Sequence, residues 1–477
     1  MNLDMIIHGG YVITMEGEGT GIINRGAIGI KGNKIVAVGE EHNVLKKYTS
    51  HRYIDTTNKV VMPGFINTHM HTSNAIIRGV AQDIPYDDWM FKCALPLLSL
   101  ATEDDLRKGS MLNIAESLKT GTTTFADFDV PMLDLVPNHV HSGIRSVVSD
   151  MINEMPKDVS EIERGVLYPL DSAVGNQKLH NNTELIEQYH TSYNGRITCR
   201  YGLQAVDMCT VELMKEVKNL SQKYNVGIFM HVEQSEEEIV QSLLRNGKRP
   251  VAVLDELGYL NRRLLAAHLK WAAPEEIVLV ARSGASMSLC SNSLILVSGT
   301  LPPAQEFAQA GGIVSLGTDC IPANNCNDMF NEMKITSLMH KYKNRDATMY
   351  PAWKVLRMAT IEAARALQMD DKVGSLKNGK LADIIIVDLE RLTMSPIFDD
   401  PIRNIIPNLV YSARGDEVET VIIDGKVVVE NHKILTINEE EVIIQANQAA
   451  KRISNELKQS KWKDVMPLVT FTSQKKY

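Results

Sequence analysis

What this sequence lacks narrows it first. Its six cysteines (Cys93, Cys199, Cys209, Cys290, Cys320 and Cys326) show no CxxC spacing, and in a chain of 477 residues they read as reduced, mostly buried thiols. No apolar run approaches the roughly 20 residues needed to span a bilayer. The start, Met1-Asn2-Leu3-Asp4-Met5-Ile6-Ile7, has neither the basic beginning nor the long apolar core of a signal peptide, so a cytoplasmic location is expected. Positive charge is not in excess: 50 Lys plus Arg against 58 Asp plus Glu leave a net charge of −8. That balance argues against nucleic acid or an anionic membrane as a partner. Long repeats, low-complexity runs and Pro-rich linkers are missing too.

What is present has two textures. Residues 3 to about 58 read as short strands, Met5–His8, Tyr11–Thr14, Ala27–Lys31, Lys34–Gly39 and His51–Asp55, with Gly9-Gly10 and Gly32-Asn33 supplying turns. The far end repeats this pattern in Ala382–Asp388 and in Val418–Val429, the latter a hairpin turning at Asp424-Gly425. The two ends are expected to pair into one small β-sandwich. Between them, apolar strand-like runs alternate with helical patterns: Thr122–Phe128, Gly143–Ser149, Ile197–Leu203, Val226–His231, Leu264–His268, Ala285–Leu289 and Gly312–Asp319. Repeated βα units of this length predict an α/β fold, a (β/α)8 TIM-type barrel. The division expected is 1–58 and 376–436 for the sandwich, 59–375 for the barrel, and 437–477 for a charged amphipathic helix and tail. That helix and the sandwich offer surface for self-association.

The chemistry concentrates around Val60–His71, where an apolar run leads through Pro63-Gly64 to two histidines two apart. Side chains two apart on a strand share a side, so His69 and His71 can present imidazoles to one point, half of a divalent metal site. Barrel sites lie at the C-terminal ends of strands. There His231 ends Val226–Met230, His268 ends Leu264–Ala267, and Asp319 ends Gly312–Thr318. Singly, each histidine reads equally well as a satisfied core residue, and Asp319 as a helix N-cap. Five such residues closing strands of one barrel read as a metal site.

The order HxH, His, His, Asp, with Pro63-Gly64-Phe65-Ile66-Asn67-Thr68-His69-Met70-His71, Gly121-Thr122-Thr123-Thr124 and Gly379-Lys380-Leu381-Ala382-Asp383, resembles the amidohydrolase superfamily. Within it, the likeness is to the group of atrazine chlorohydrolase, melamine deaminase and S-adenosylhomocysteine deaminase. Asp88-Trp89-Met90-Phe91, Met358–Arg365 and Val421–Lys426 extend the match over nearly the whole chain. The resemblance implies one divalent ion, zinc first and ferrous iron second, held by His69, His71, His231 and Asp319. His268 would contact the attacking water or the substrate. An ion with an open position lowers the pKa of its water from about 15.7 toward about 7. Asp319 would take a proton from that water, His268 would polarise the atom under attack, and an amine or halide would leave the ring. Relatives in this group are commonly oligomers, so a homodimer or homotetramer is implied.

One position departs from the group, which carries a proton-shuttling Glu three residues after the histidine of the fifth strand. Here it is Gln234, which can donate a hydrogen bond but cannot shuttle a proton as a carboxyl does. Three readings follow: Glu233 or Glu236 replaces it, the substrate needs no ring protonation, or the protein is a metal-binding pseudoenzyme. Retained hydrolysis is the favoured reading. Where adenosylhomocysteine-type deaminases hold ribose with a Glu nine residues after Trp89, this chain has Leu98, and Gln204 stands where they place a substrate-contacting His. Both disfavour nucleosides. The expected substrate is a flat N-heterocycle such as an aminotriazine, pterin or pyrimidine, contacted by Trp89, Gln204 and His268. Phe91, Met151, Met155 and Met287 are candidates for an apolar slot. Cys320 adjoins Asp319, but a nucleophilic role is not expected. The fourth strand, Arg196–Leu203, offers no lysine to bridge two metals, so one is preferred. The alternative activity is release of an alkylamine or halide.

Overall fold

The computed structural model describes residues 1–156, 162 and 165–476, apart from the Asp87 side chain. Eight parallel strands close a barrel: β1 Phe65–His71, β2 Thr122–Asp129, β3 Arg145–Ile152, β4 in two pieces (Ile197–Cys199 and Tyr201–Leu203), β5 Ile228–Val232, β6 Leu264–His268, β7 Ser286–Leu289, and β8 in two pieces (Ile313–Leu316 and Asp319–Cys320). Closure comes from the second piece of β8, where Asp319 stands beside Met70 and Cys320 beside His71. All seven residues of β1 are buried. Covering on both faces explains why such strands carry apolar runs instead of alternation.

Both chain ends share one sheet, as expected. Ile384–Asp388 runs antiparallel to Lys59–Pro63, with Ile386 opposite Val61, and Tyr11–Ile13 flanks the same strand. A second sheet, Lys34–Glu40, Gly26–Lys31, Met5–His8 and Tyr53–Asp55, completes the sandwich. The stretch Val60–His71 is therefore two strands in two sheets, and Gly64 is the joint. A Cβ there would lie 2.1 Å from Thr123 Cγ2, so only glycine passes.

The helix Glu103–Lys119 lies behind β1 and β2, with a capping box between Thr102 and Asp105 and three acids in its first turn. The C-terminal helix Glu439–Gln459 packs on it, burying Val442, Ala446, Ala449 and Ile453, while Arg452 Nε donates to Asp105 (2.8 Å). One face of the helix is thus used within the chain, while Ile443 and Ile444 remain exposed on it. Two elements near the site were not anticipated. Ser172–Tyr189 is a helix despite its Gly, Asn and Thr content; Asp171 caps it and Leu179, Leu185 and Ile186 are buried. Tyr86–Ser99 is helical with a widened π turn at Trp89–Ala94. Pro96 explains the widening, since its ring lacks an N–H and would clash with the carbonyl four residues back. Among the described residues no helix is long and apolar enough to cross a membrane.

Candidate metal centre and its pocket

The C-terminal ends of β1, β5, β6 and β8 bring His69, His71, His231, His268 and Asp319 together, each 3–9% exposed. Asp319 Oδ1 lies 3.5 Å from His71 Nε2 and 3.7 Å from His69 Nε2; Oδ2 lies 3.9 Å from His268 Nε2. Two ligands each about 2.1 Å from one tetrahedral ion stand roughly 3.4 Å apart. The nearer two separations match that value. The ring centroids of His69 and His231 are 4.9 Å apart, and the rings of His231 and His268 stack at 5.4 Å.

The surroundings orient the imidazoles. His71 Nδ1 bonds the Phe128 carbonyl, and His231 Nδ1 bonds the Gln204 carbonyl at 2.7 Å. In the neutral rings these are donors, which leaves each Nε2 lone pair pointing inward. Asp319 is held at both oxygens, Oδ2 accepting from Ser293 Oγ (2.7 Å) and Oδ1 from the Cys320 N–H (2.6 Å). His268 and Asp319 sit at φ of 78° and 64°. Left-handed backbone in non-glycine residues costs about 1–3 kcal/mol, a strain typical of functional sites.

Electrostatics favour a cation at this point. Burial, and then the neighbouring imidazoles, hold His69 well below the ordinary histidine range and push His231 down to about 3. Burial lowers His268 to about 4 against the opposing pull of Asp319. Burial alone would raise Asp319, but His268, His71 and His231 outweigh it and keep the carboxyl ionised. His69 Nε2 and His268 Nδ1 are buried without a hydrogen-bond partner. Neutral imidazoles with inward lone pairs beside one carboxylate fit a divalent cation.

A cavity of about 670 Å³ opens onto this cluster, walled in part by Trp89, Phe91, Leu98, Met151, Met155 and Trp462. Trp89 Nε1 donates to the Pro322 carbonyl (3.2 Å), fixing the indole edge, and its ring stacks on Tyr86 at 5.8 Å. Met287, expected on the slot, is fully buried in the barrel core and does not line the cavity; a single residue along β7 decides which side it faces. Gln234 lines the cavity, its Oε1 accepting from Tyr86 Oη (3.4 Å). Burial, then the charges of Asp319, Glu238 and Asp207, raise Tyr86 well above its ordinary value, so the phenol remains a donor. Neither glutamate considered as a substitute takes the place of Gln234. Glu233 is buried against Arg249 Nη2 (2.9 Å), and Glu236 is exposed at the start of Glu236–Asn246. Cys320 lines the cavity with its thiol raised far from ionisation, first by burial and then by Asp319.

Sequence reasoning missed Tyr86, Asn153, Lys178, Ser293 and Trp462. Tyr86 stands three residues before the recognised Trp89, a signal that could have been used. The others reach the site from segments whose local pattern does not mark them.

Comparison with known proteins agrees with this geometry. The chain is 33% identical to the 5′-deoxyadenosine deaminase of Methanosarcina mazei, over 94% of this chain and 98% of that one. It is 34% identical to the 5-methylthioadenosine/S-adenosylhomocysteine deaminase of Pelotomaculum thermopropionicum, over 95% and 99%. Residues 60–428 match the profile described as Amidohydrolase family. The chain belongs to the amidohydrolase family. It is a hydrolase acting on carbon–nitrogen bonds other than peptide bonds. Among solved structures, an adenosine deaminase from Xanthomonas campestris with bound zinc superposes with a TM-score of 0.87 at 26% identity, over 95% of this chain and 99% of that one. The atrazine chlorohydrolase of Arthrobacter aurescens TC1 complexed with zinc shares the fold, with a TM-score of 0.82 at 22% identity over 94% and 100%.

Proposed function

We propose that this amidohydrolase is a mononuclear aminohydrolase that removes the amine from an aminated N-heterocyclic ring. The observation that carries the reading is the convergence of four imidazoles and Asp319 at the floor of one cavity large enough for such a ring. His69, His71, His231 and Asp319 are the residues we assign to the ion, zinc before ferrous iron. When bound, that cation supplies the Lewis acidity that makes water nucleophilic at neutral pH. Asp319, ionised and held by Ser293 and Cys320, receives a proton from the attacking water. His268 donates toward the group under attack. Gln234, its oxygen turned to Tyr86, offers its Nε2 hydrogens to a ring nitrogen. Trp89 gives the ring an apolar face.

The relatives bear names of nucleoside deaminases. Their activity weighs against a pseudoenzyme and against alkylamine or halide release. The wall at Leu98 is alkyl, which suits a ring without a demand for a ribose diol. We place the protein in the cytoplasm as a homodimer or homotetramer, with water and the small ring as its reaction partners. Its six cysteines, all free thiols, suit that compartment.

Ammonia release by metal-reconstituted protein across aminopyrimidines, aminopurines, pterins and aminotriazines tests this reading. At least one ring should yield ammonia. His69→Ala and Asp319→Asn should each lose metal and fall about 10²–10⁴-fold in turnover. Unchanged metal content in folded variants would overturn the ligand assignment.

A further inference from the structure

One wall of the cavity is polar, and its charged member has no role assigned so far. Lys178, on the helix Ser172–Tyr189, lines it and donates from Nζ to Asn153 Oδ1 (2.9 Å). The same Oδ1 accepts from the Met155 N–H (3.1 Å). An ammonium and a backbone N–H can only donate, so the atom they share must be the amide oxygen. Asn153 therefore turns its Nδ2 to Gln204, and the atom that meets it there is Gln204 Oε1. The Gln204 backbone is fixed as well, its N–H on Ile152 O (2.8 Å) and its carbonyl on His231. With one bond already made to its oxygen, Gln204 can turn its Nε2–H to the cavity. This run of bonds leaves a wall rich in donors, the Lys178 ammonium and the Gln204 amide.

A cation lining a largely apolar cavity is costly unless an acceptor meets it. Asn153 Oδ1 takes one of the three ammonium hydrogens, and Asp150, whose Oδ2 accepts from the Met132 N–H (3.0 Å), acts on Lys178 through space, so the ammonium keeps hydrogens to give to an acceptor in the cavity. Burial holds the ammonium below its ordinary value even with Asp150 present. Resting on the aminohydrolase reading, we propose that Lys178 and Gln204 read an oxygen acceptor on the substrate, so that the substrate class is an aminated ring that also carries an oxo group. A ring with only amine and alkyl substituents offers this wall its ring nitrogens but no oxygen acceptor.

The test pairs two rings on metal-loaded protein, 2-amino-4-oxopyrimidine and 2-aminopyrimidine, with direct binding of uracil by calorimetry beside turnover. The parent should prefer the oxo ring at least 10-fold in kcat/KM. Lys178→Met should raise KM for that ring, and Kd for uracil, about 10–100-fold, the range for loss of a charged hydrogen bond. It should leave kcat and the 2-aminopyrimidine constants within a few-fold, and Lys178→Arg should restore most of the preference. No preference in the parent, or an equal loss for both rings in Lys178→Met, would overturn the assignment. Silence in turnover with uracil bound by the parent, and lost in Lys178→Met, would count against ammonia release from these two rings while supporting Lys178 as the reader of a ring oxo group.

Discussion

Two buried charged clusters, at opposite roles in the barrel, are built from similar residue types with opposite logic. Where the barrel meets the sandwich, Arg145 is fully buried and each of its three nitrogens has an acceptor. Nε meets Asp383 Oδ2 at 2.6 Å, Nη2 meets Asp383 Oδ1 at 3.0 Å and Asp424 Oδ1 at 3.3 Å, and Nη1 reaches the Gly195 carbonyl at 3.4 Å. At the ends of β1, β5, β6 and β8, the imidazoles and Asp319 are buried too, but His69 Nε2 and His268 Nδ1 have no partner and two residues hold strained backbone. The first cluster is complete without a ligand. The second keeps inward lone pairs beside an ionised carboxylate, a set that a cation would satisfy. Polar burial that closes on itself serves stability, and polar burial left open serves chemistry.

That contrast can be broken first at the clamp. Arg145→Met leaves two buried carboxylates facing an alkyl chain and should cost about 3–5 kcal/mol of unfolding free energy, read as a drop in the urea midpoint. A loss under 1 kcal/mol would deny the clamp its structural role. The open cluster should show itself through pH. His231 and His268 titrate near 3 and 4 when folded, against an ordinary 6.5, so between those values the unfolded chain binds more protons. Stability of metal-free protein should therefore fall as pH drops below about 6.5, by roughly 2 kcal/mol per imidazole at pH 5. The parent and His231→Gln, compared at pH 7.5 and pH 5, isolate one imidazole; parallel behaviour of the two would count against it. The smallest effect is expected at the support. Ser293→Ala frees one oxygen of Asp319 and should weaken metal affinity about 10–100-fold, measured by chelator competition, with the fold intact.

Much of this was legible in the linear sequence. Each proposed ligand closes an apolar run, and β-strand geometry converts that position into a place at the barrel mouth. The pairing of chain ends showed in their shared texture. Met287 did not, because apolar character alone cannot say which side of β7 it faces. The fate of Glu233 was also hidden, since its partner Arg249 comes from 16 residues later and its orientation follows from a φ of 49°. Lys178 and Trp462 come from helices whose register on the barrel is a tertiary fact. The two stretches Gly379–Asp383 and Val421–Lys426 carried the family resemblance, yet Asp383 and Asp424 belong to the clamp and not to the catalytic centre.

The shared sheet of the sandwich also sets an order on how the molecule can be made. Lys59–Pro63 has Tyr11–Ile13 beside it early, but its other neighbour, Ile384–Asp388, is translated more than three hundred residues later. At roughly 5–20 residues per second, that edge waits on the order of tens of seconds during synthesis. Through that interval Val60, Val61 and Met62 present an apolar strand with one unpaired edge to the cell. The segment that becomes the wall of the finished sandwich is thus, on the ribosome, a stretch of nascent chain in need of a holding partner.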